Sequence, residues 1–309
     1  MIYTLTLNPA LDKTAEIPNF SLDKVNRTAS IRTDAGGKGI NVSKVIKKMG
    51  GESIALGILG GGSGKKIKDM LDTSGIKSNF TFTDAETRTN LKIADPINRT
   101  YTDINESGDF VAQSVIDSVT DSLLTQLKPD DILIVAGSLP KGAPDDTYQI
   151  LINKSNKTGA KVFFDADGRL LENGIKALPF LIKPNRDELS SLVGKPLETL
   201  DEVKKAALKL VEKGIKKVVV SLGKDGALFV TENEIIYAEA IPVEVKSTVG
   251  AGDSVVAALA LSEMKMLTLE ETARLCTATG AANVMSEGTK AADFSLIQKL
   301  LPQVKLQRL

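Results

Sequence analysis

The stretch Ser-Thr-Val-Gly-Ala-Gly-Asp-Ser at positions 247–254 combines residue types that could bind an anion and react with it. It follows an extended, β-rich segment that ends near Val245 and precedes an apolar run, Val255 to Met264, that predicts a helix. A Gly-Ala-Gly turn at a helix start leaves backbone N–H groups unpaired, and the positive end of the helix dipole adds to them. The two glycines let a ligand approach closely because they carry no Cβ. The turn therefore predicts an anion site.

Asp253 is the residue of this turn that could do chemistry. A carboxylate would repel a bound phosphate, so Asp253 either caps the helix or accepts a proton from a hydroxyl that attacks phosphorus. The chain has no histidine, so a general base must be a carboxylate, a lysine or a tyrosine. This composition also excludes Ser-His-Asp catalysis, Cys-His catalysis and histidine-based metal sites.

The overall composition limits the possible partners. Of the 309 residues, 42% are hydrophobic, enough for a large core, whereas aromatic residues are 4% and tryptophan is absent, which argues against stacking on nucleic-acid bases. Lysine plus arginine and aspartate plus glutamate both number 39, so only local charges could hold a phosphorylated ligand. The single cysteine, Cys276, lies in an apolar helical run, and we therefore expect it to be a core residue. We expect a cytoplasmic protein that binds neither nucleic acid nor membrane.

Strand and helix patterns alternate along most of the chain. This alternation predicts an α/β fold with a doubly wound, mostly parallel sheet flanked by helices, formed as one domain over residues 1–309. Two β-rich stretches, about 14–33 and 87–110, interrupt the alternation, and the second reads as a hairpin. We expect them to form a small sheet apart from the main one.

A cluster of glycines precedes an amphipathic helix at residues 34–44. Gly36 and Gly37 would expose backbone N–H groups, Lys38 offers a positive charge, and Asn41 lies about one turn into the helix. The spacing is not that of a Walker A loop. The glycine-rich stretch 57–64 also lacks the spacing of a dinucleotide-binding loop, and we interpret it as a tight strand-to-helix loop without a functional role.

Further polar residues follow predicted strands, at the sheet edge where ligands collect in open α/β folds. Asp12 comes shortly after a strand over residues 2–7, and Ser138 comes directly after the apolar strand 132–136. Asn185 and Glu188 follow a strand over residues 180–183 and share one face of the next helix. This pair could organise a hydrated Mg²⁺, or it could cap the helix.

Taken in order, the motifs TLNPALD, GGKGIN, GSLPKG, NRDE, SLGKDG and STVGAGDS resemble those of the ribokinase-like carbohydrate kinase family. The resemblance spans essentially the whole chain and is greatest to the hexose-phosphate branch. It implies transfer of the ATP γ-phosphoryl group to the 6-hydroxyl of fructose 1-phosphate. Tagatose 6-phosphate and fructose 6-phosphate are alternative substrates, and a catalytically inactive sugar-phosphate sensor is a different class of function. A dehydrogenase is set aside because Asn8-Pro9 follows the first strand, where a dinucleotide-binding loop would stand.

The same resemblance implies the roles of individual residues. Asp253 is the general base, and the turn at Gly250, Ala251 and Gly252 stabilises the transferred group. Sugar-binding residues are Asp12, Gly36, Gly37, Lys38, Asn41, Arg88 and Ser138. Residues that bind the nucleotide are Lys183, Asn185, Ser221, Gly223, Gly226, Thr248 and Asn283. Mg²⁺ is contacted through water by Asn185 and Glu188. The small sheet is a lid over the sugar, and we expect a homodimer through its edges.

Overall fold

The structure, a computed structural model, describes residues 1–286 and 291–309. In chain order its strands are β1 (Ile2–Thr6), β2 (Ala10–Glu16), β3 (Ser30–Gly36), β4 (Ile54–Gly60), β5 (Lys77–Thr83), β6 (Thr89–Asp95), β7 (Thr100–Asn105), β8 (Ile132–Ala136), β9 (Lys161–Asp165), β10 (Leu181–Ile182), β11 (Lys217–Ser221), β12 (Ala227–Val230), β13 (Ile235–Ala238) and β14 (Leu306–Arg308). The helices are α1 (Lys38–Lys48), α2 (Gly61–Thr73), α3 (Gln113–Gln126), α4 (Thr147–Asn156), α5 (Gly168–Gly174), α6 (Arg186–Val193), α7 (Leu200–Glu212), α8 (Ala251–Met264), α9 (Leu269–Val284) and α10 (Phe294–Leu300).

Over the described residues the strands form two sheets. The main sheet has the order β14-β13-β12-β11-β10-β9-β8-β1-β4-β5, and its strands from β11 to β5 are parallel to one another. The strands β12, β13 and β14 extend it as antiparallel neighbours. The small sheet has the order β3-β2-β6-β7. The predictions of a mostly parallel main sheet and of a separate small sheet are therefore confirmed.

Alternate residues of the main strands face opposite layers of helices. In β8, Leu133 and Val135 pack in a core with helices α3 to α7, whereas Ile132 and Ile134 pack in a second core with α1, α8, α9 and α10. Because both faces of the sheet are covered, β8 is apolar throughout. Cys276 on α9 is fully buried in the second core, as predicted.

Three predictions about local structure were wrong. The segment before Ser247 is not a strand, because the backbone N–H groups of Lys246 and Ser247 donate to the carbonyl of Val284 on a helix instead of to another strand. Strand β4 passes into α2 between residues 60 and 61, so the stretch 57–64 contains no loop. The strands of the small sheet span 10–36 and 89–105, so its first part is longer at both ends than the 14–33 predicted.

Candidate active site

Asp253 lies in the first turn of α8, directly after a tight turn of the backbone. Gly250 precedes the helix in the left-handed conformation, with φ of 78°, which suits a residue without Cβ. The Asp253 side chain is 7% exposed, and its Oδ2 accepts a 2.8 Å hydrogen bond from Nδ2 of Asn41 on α1. The buried carboxylate is thus held between two helices that come from opposite ends of the chain.

The electrostatic surroundings of Asp253 favour its protonated form more than water would. Burial, reinforced by the nearby Asp165 carboxylate, raises the pKa of Asp253 to about 6. The hydrogen bond from Asn41 and the charges of Lys38 and Lys183 oppose this rise. A carboxylate with a pKa close to neutral can take up and release a proton under cellular conditions, as a general base must.

Asp165, at the end of β9, is a functional candidate that the sequence analysis missed. Its carboxylate is buried, and one of its oxygens lies 3.6 Å from Nζ of Lys38 and 3.6 Å from Nζ of Lys183. Burial alone would raise the pKa of Asp165, but the two lysines outweigh it and the pKa is lowered. The sequence feature that could have identified Asp165 is its position at the end of a largely apolar strand, at the sheet edge where ligands bind in open α/β folds.

The two lysines face the turn that opens α8. A Cβ placed on Gly252 would lie 3.3 Å from Nζ of Lys183, so the ammonium group borders the turn. Burial would lower the pKa of Lys38, but Asp165 and Asp253 outweigh it and the pKa is raised. The backbone N–H of Ala251 donates to the carbonyl of Thr248 at 3.3 Å. Because that N–H group is already engaged, the backbone N–H groups of Gly252 and Asp253 are the better donors to an anion.

Asp12 enters the site from the small sheet. The sequence analysis predicts Asp12 at the carboxyl end of β1. Instead, the chain turns at Asn8-Pro9 and begins β2 at Ala10, so Asp12 lies within a strand of the small sheet. Its buried carboxylate accepts a 2.9 Å hydrogen bond from Nδ2 of Asn90 on β6, a residue that the sequence analysis did not single out. A Cβ on Gly36 would lie 2.5 Å from Asp12 Oδ2, so a side chain at this position would force the Asp12 carboxylate to move.

Arg88 and Ser138 meet at the base of the small sheet through Asn8. The Asn8 side chain donates to Ser138 Oγ at 3.2 Å and to the carbonyl of Leu139 at 3.1 Å. The Arg88 guanidinium donates to the carbonyls of Glu106, at 2.7 Å, and of Asn8, at 3.1 Å. These contacts join the small sheet to the ends of β1 and β8.

Asn185 and Glu188 form a capping box at the start of α6. The Glu188 backbone N–H donates to Asn185 Oδ1, and the Asn185 backbone N–H donates to Glu188 Oε2, both at 2.8 Å. The helix-capping alternative is therefore present in the structure. Among residues 1–286 and 291–309, no group of three or more histidine, cysteine or acidic residues is placed to hold a metal ion.

The other residues predicted to bind nucleotide lie on neighbouring loops. Ser221 pairs with Asn185 in a short parallel bridge, which brings the end of β11 beside the start of α6. Gly223 and Gly226 have φ of 61° and 102°, and a Cβ on Gly226 would lie 2.0 Å from the Ala238 carbonyl oxygen. Asn283 is buried and donates to the carbonyl of Val249 at 3.3 Å, so it stabilises the turn before α8.

Comparison with known proteins decides the family. A family model described as pfkB family carbohydrate kinase matches residues 5–294. The chain belongs to this family. Among curated pfkB relatives, 1-phosphofructokinase of Bacillus subtilis is 35% identical over 309 residues, covering 100% of both chains. Tagatose-6-phosphate kinase of Staphylococcus epidermidis is 34% identical over 310 residues, covering 99% of both.

Solved structures agree with this assignment to the pfkB family. Phosphofructokinase-2 from Escherichia coli, in complex with fructose-6-phosphate, has a TM-score of 0.93 and 30% identity, covering 98% of both chains. A tetrameric inhibited form of the same protein has a TM-score of 0.91. The family predicted from the motifs is therefore confirmed, and the chain is a kinase whose phosphoryl donor is ATP. No helix within the described ranges is long and apolar enough to cross a membrane.

Proposed function

We propose that this kinase transfers the γ-phosphoryl group of ATP to the 6-hydroxyl of fructose 1-phosphate, giving fructose 1,6-bisphosphate and ADP. The observation that carries the proposal is the buried Asp253 carboxylate, which has a pKa raised to about 6 and lies at the start of α8. The substrate is proposed from the curated relatives named 1-phosphofructokinase, which are matched over nearly their whole length.

In this mechanism Asp253 takes the proton of the attacking hydroxyl. As the sugar oxygen bonds to the γ-phosphorus, the bond to the bridging oxygen of ATP breaks and ADP leaves. The hydrogen bond from Asn41 to Oδ2 fixes the orientation of the carboxylate, since a base must point at the proton it accepts. A positioned base of this kind contributes about 10²–10⁴ in rate.

Positive charge beside Asp253 would stabilise the transferred group. Lys183 borders the turn at Gly252, and Lys38 lies across Asp165 from it. The backbone N–H groups of Gly252 and Asp253 add to this charge at the helix N-terminus. We propose that Asp165 holds the two lysines in place, so that the charge is present before the phosphoryl group arrives.

The oxygen atoms of Asn185 and Glu188 suit a magnesium ion bound with ATP. Asn185 is exposed and Glu188 half-buried, and Mg²⁺ keeps most of its water ligands, so contact through water needs no direct carboxylate cage. When bound, the ion would neutralise charge on the phosphates. We propose that the capping box keeps the two side chains at the loop edge where the nucleotide phosphates bind.

On the sugar side, Asp12 with Gly36, Gly37 and Lys38 would bind the substrate hydroxyls and its phosphate. Arg88 would contribute through the network at Asn8, next to Ser138. Ser221, Gly223, Gly226 and Thr248 would line the nucleotide, with Asn283 holding the turn beneath it. We propose that the small sheet acts as a lid in a single domain of residues 1–309.

A homodimer through the small sheet is also proposed. Every residue of β7 is exposed, and Leu91 and Ile104, directly opposite each other in the sheet, are 36% and 51% exposed. Exposed apolar residues on an edge strand favour pairing with another chain. Ile104→Lys should shift the molecular mass measured by sedimentation toward the monomer. A monomeric unmodified chain at micromolar concentration would contradict the proposal. A cytoplasmic location remains a prediction.

Tagatose 6-phosphate is the second candidate substrate. The Staphylococcus epidermidis relative named tagatose-6-phosphate kinase is nearly as similar to the chain as the relatives named 1-phosphofructokinase. Both sugars could present a hydroxyl to Asp253, and the choice between them depends on hydroxyl and phosphate contacts. An inactive sensor is the third possibility.

The experiment is an assay of ADP release with ATP and Mg²⁺, comparing fructose 1-phosphate, tagatose 6-phosphate, fructose 6-phosphate and ribose. A kcat/KM for fructose 1-phosphate about tenfold above the others would support the proposal, since single hydroxyl contacts discriminate at least that strongly. Preference for tagatose 6-phosphate would transfer the same mechanism to that sugar. Tight sugar-phosphate binding without turnover would show a sensor instead.

A further inference from the structure

Glu263 makes two short ion pairs at the end of α8 that is far from Asp253. Its carboxylate oxygens accept from Nζ of Lys161 at 2.7 Å and from Nζ of Lys217 at 2.6 Å. The Glu263 side chain is 12% exposed and the lysines are 29% and 27% exposed, so all three charges are largely removed from water. Burial would raise the pKa of Glu263, but the hydrogen bonds from both lysines outweigh it and the pKa is lowered.

An aromatic platform supports the two lysines. Both ammonium groups lie over the ring of Phe180, at 5.3 Å and 5.6 Å from its centroid, and Phe180 stacks on Phe163 with centroids 6.0 Å apart. A lysine ammonium over an aromatic face is attracted by the quadrupole of the ring, whose face is electrically negative, and more strongly when water is excluded. The exposed Asp130 carboxylate also lies near this cluster, 3.8 Å from Nζ of Lys161.

The same strands carry the candidate active site at their other ends. Lys161 begins β9 and Lys217 begins β11, while Asp165 ends β9 and Ser221 ends β11. Glu263 is likewise ten positions after Asp253 on α8, or about 15 Å along the helix axis. The Glu263 pairs therefore join the opposite ends of the elements that carry the base and its neighbours.

Most of the buried residues in the middle of α8 are apolar, and they include Val256, Leu259 and Leu261. Ala257, Ala258 and Ala260 pack in the second core together with them. Apolar contact has no preferred direction. Short, charge-assisted hydrogen bonds are directional and can fix the position of a helix along its axis.

We propose that Glu263 is a positioning residue, which fixes α8 along its axis relative to β9 and β11 and so places Asp253 against Asp165, Lys38 and Lys183. This inference rests on the function proposed above. Asp253 works by proton transfer over hydrogen-bond distance, so a shift of the helix would lower turnover more than substrate affinity.

Glu263→Gln tests the proposal, because the amide keeps the shape of the side chain and removes its charge. The matched control is Val203→Ala on α7, a buried truncation on the other face of the sheet that also lowers stability. We expect Glu263→Gln to lower kcat about tenfold, with KM for sugar phosphate changed by less than about twofold, and Val203→Ala to leave both unchanged. Glu263→Asp, which keeps the charge on a shorter side chain, should recover part of the kcat.

Hydrogen exchange gives a readout that does not depend on activity. The free energy of local opening at each amide is expressed as a fraction of the variant's global free energy of unfolding, which removes the effect of a general loss of stability. On this scale, the amides of residues 247–254 should open more easily, and so exchange faster, in Glu263→Gln than in Val203→Ala. Unchanged exchange at 247–254 together with an unchanged kcat would overturn the proposal. If the unmodified chain phosphorylates none of the sugars, the proposed function fails, but the exchange comparison still decides whether Glu263 positions α8.

Discussion

Nδ2 of Asn41 donates to Oδ2 of Asp253 at 2.8 Å, although the two residues are 212 positions apart in the chain. Asn41 lies on α1, which follows the glycine cluster proposed to bind the sugar, and Asp253 opens α8, which carries the proposed anion site. The hydrogen bond therefore connects the proposed sugar-binding helix to the helix that carries the proposed anion site. Its loss should change the chemistry of the base as well as sugar binding.

Replacing the proposed base should lower activity and raise stability together. In Asp253→Asn the side chain keeps its size and cannot accept the proton, so kcat should fall by about 10²–10⁴. The folded-state pKa of Asp253 is raised to about 6, so its ionisation opposes folding at neutral pH. Removing the charge should raise the free energy of unfolding by on the order of 1–3 kcal/mol at about pH 7.5. Urea unfolding measures this, and a less stable Asp253→Asn would contradict the assigned environment.

The raised pKa also predicts the pH dependence of the reaction. Below pH 6 the Asp253 carboxyl of the free enzyme is mostly protonated and cannot accept a proton, so kcat/KM should fall as pH decreases through about 6. The measurement is a profile of kcat/KM from pH 5 to pH 8 at fixed ionic strength. A profile that stays flat down to pH 5 would exclude Asp253 as a base with this pKa.

Two substitutions should move this pH profile in opposite directions. Asn41→Ala removes a hydrogen bond that stabilises the charged form of Asp253, so the acidic limb should move to higher pH. Asp165→Asn removes the neighbouring negative charge, so the limb should move to lower pH. Shifts in the same direction would mean that the two residues do not act on Asp253 through these contacts.

A side chain at Gly36 should disturb sugar binding, whereas one at Gly62 should not. In Gly36→Ala the new Cβ would lie 2.5 Å from Asp12 Oδ2, and the displaced carboxylate should raise KM for the sugar phosphate. Gly62 lies in α2, and a Cβ added there would meet no other part of the described chain within 4 Å. Gly62→Ala is therefore the matched control and should leave KM unchanged. Equal changes of KM in the two variants would show that the position of the Asp12 carboxylate does not affect sugar binding.

Asn8 should control the attachment of the small sheet. Asn8→Ala removes the donor to Ser138 Oγ and to the carbonyls of Ser107 and Leu139. We expect faster hydrogen exchange in residues 105–110 and a higher KM for the sugar phosphate. Asn8→Asp, which has similar shape but no N–H to donate, should behave like Asn8→Ala. Recovery of normal exchange in Asn8→Asp would show that packing, not hydrogen bonding, holds this junction.

Periodicity and turn residues predicted much of this fold because they reflect burial and backbone freedom. The apolar strand at residues 132–136 and the helix after Gly250 are both present in the structure. The segment before Ser247 has the composition of a strand, but its N–H groups pair with a helix end, a long-range contact that local pattern does not encode. Asp165 was missed for a similar reason, because its importance comes from two lysines that are distant in the sequence.

The buried thiol of Cys276 has a practical consequence for observing motion. Burial raises its pKa, so the thiolate that reacts with maleimides is scarce, and the sequence contains no other cysteine and no tryptophan. A cysteine introduced at Ser107 and one introduced at Thr231 would thus be the reactive sites for a donor and acceptor dye. Single-molecule fluorescence on such a doubly labelled chain would test the proposed opening and closing of the small sheet during turnover without removing any native residue from the core.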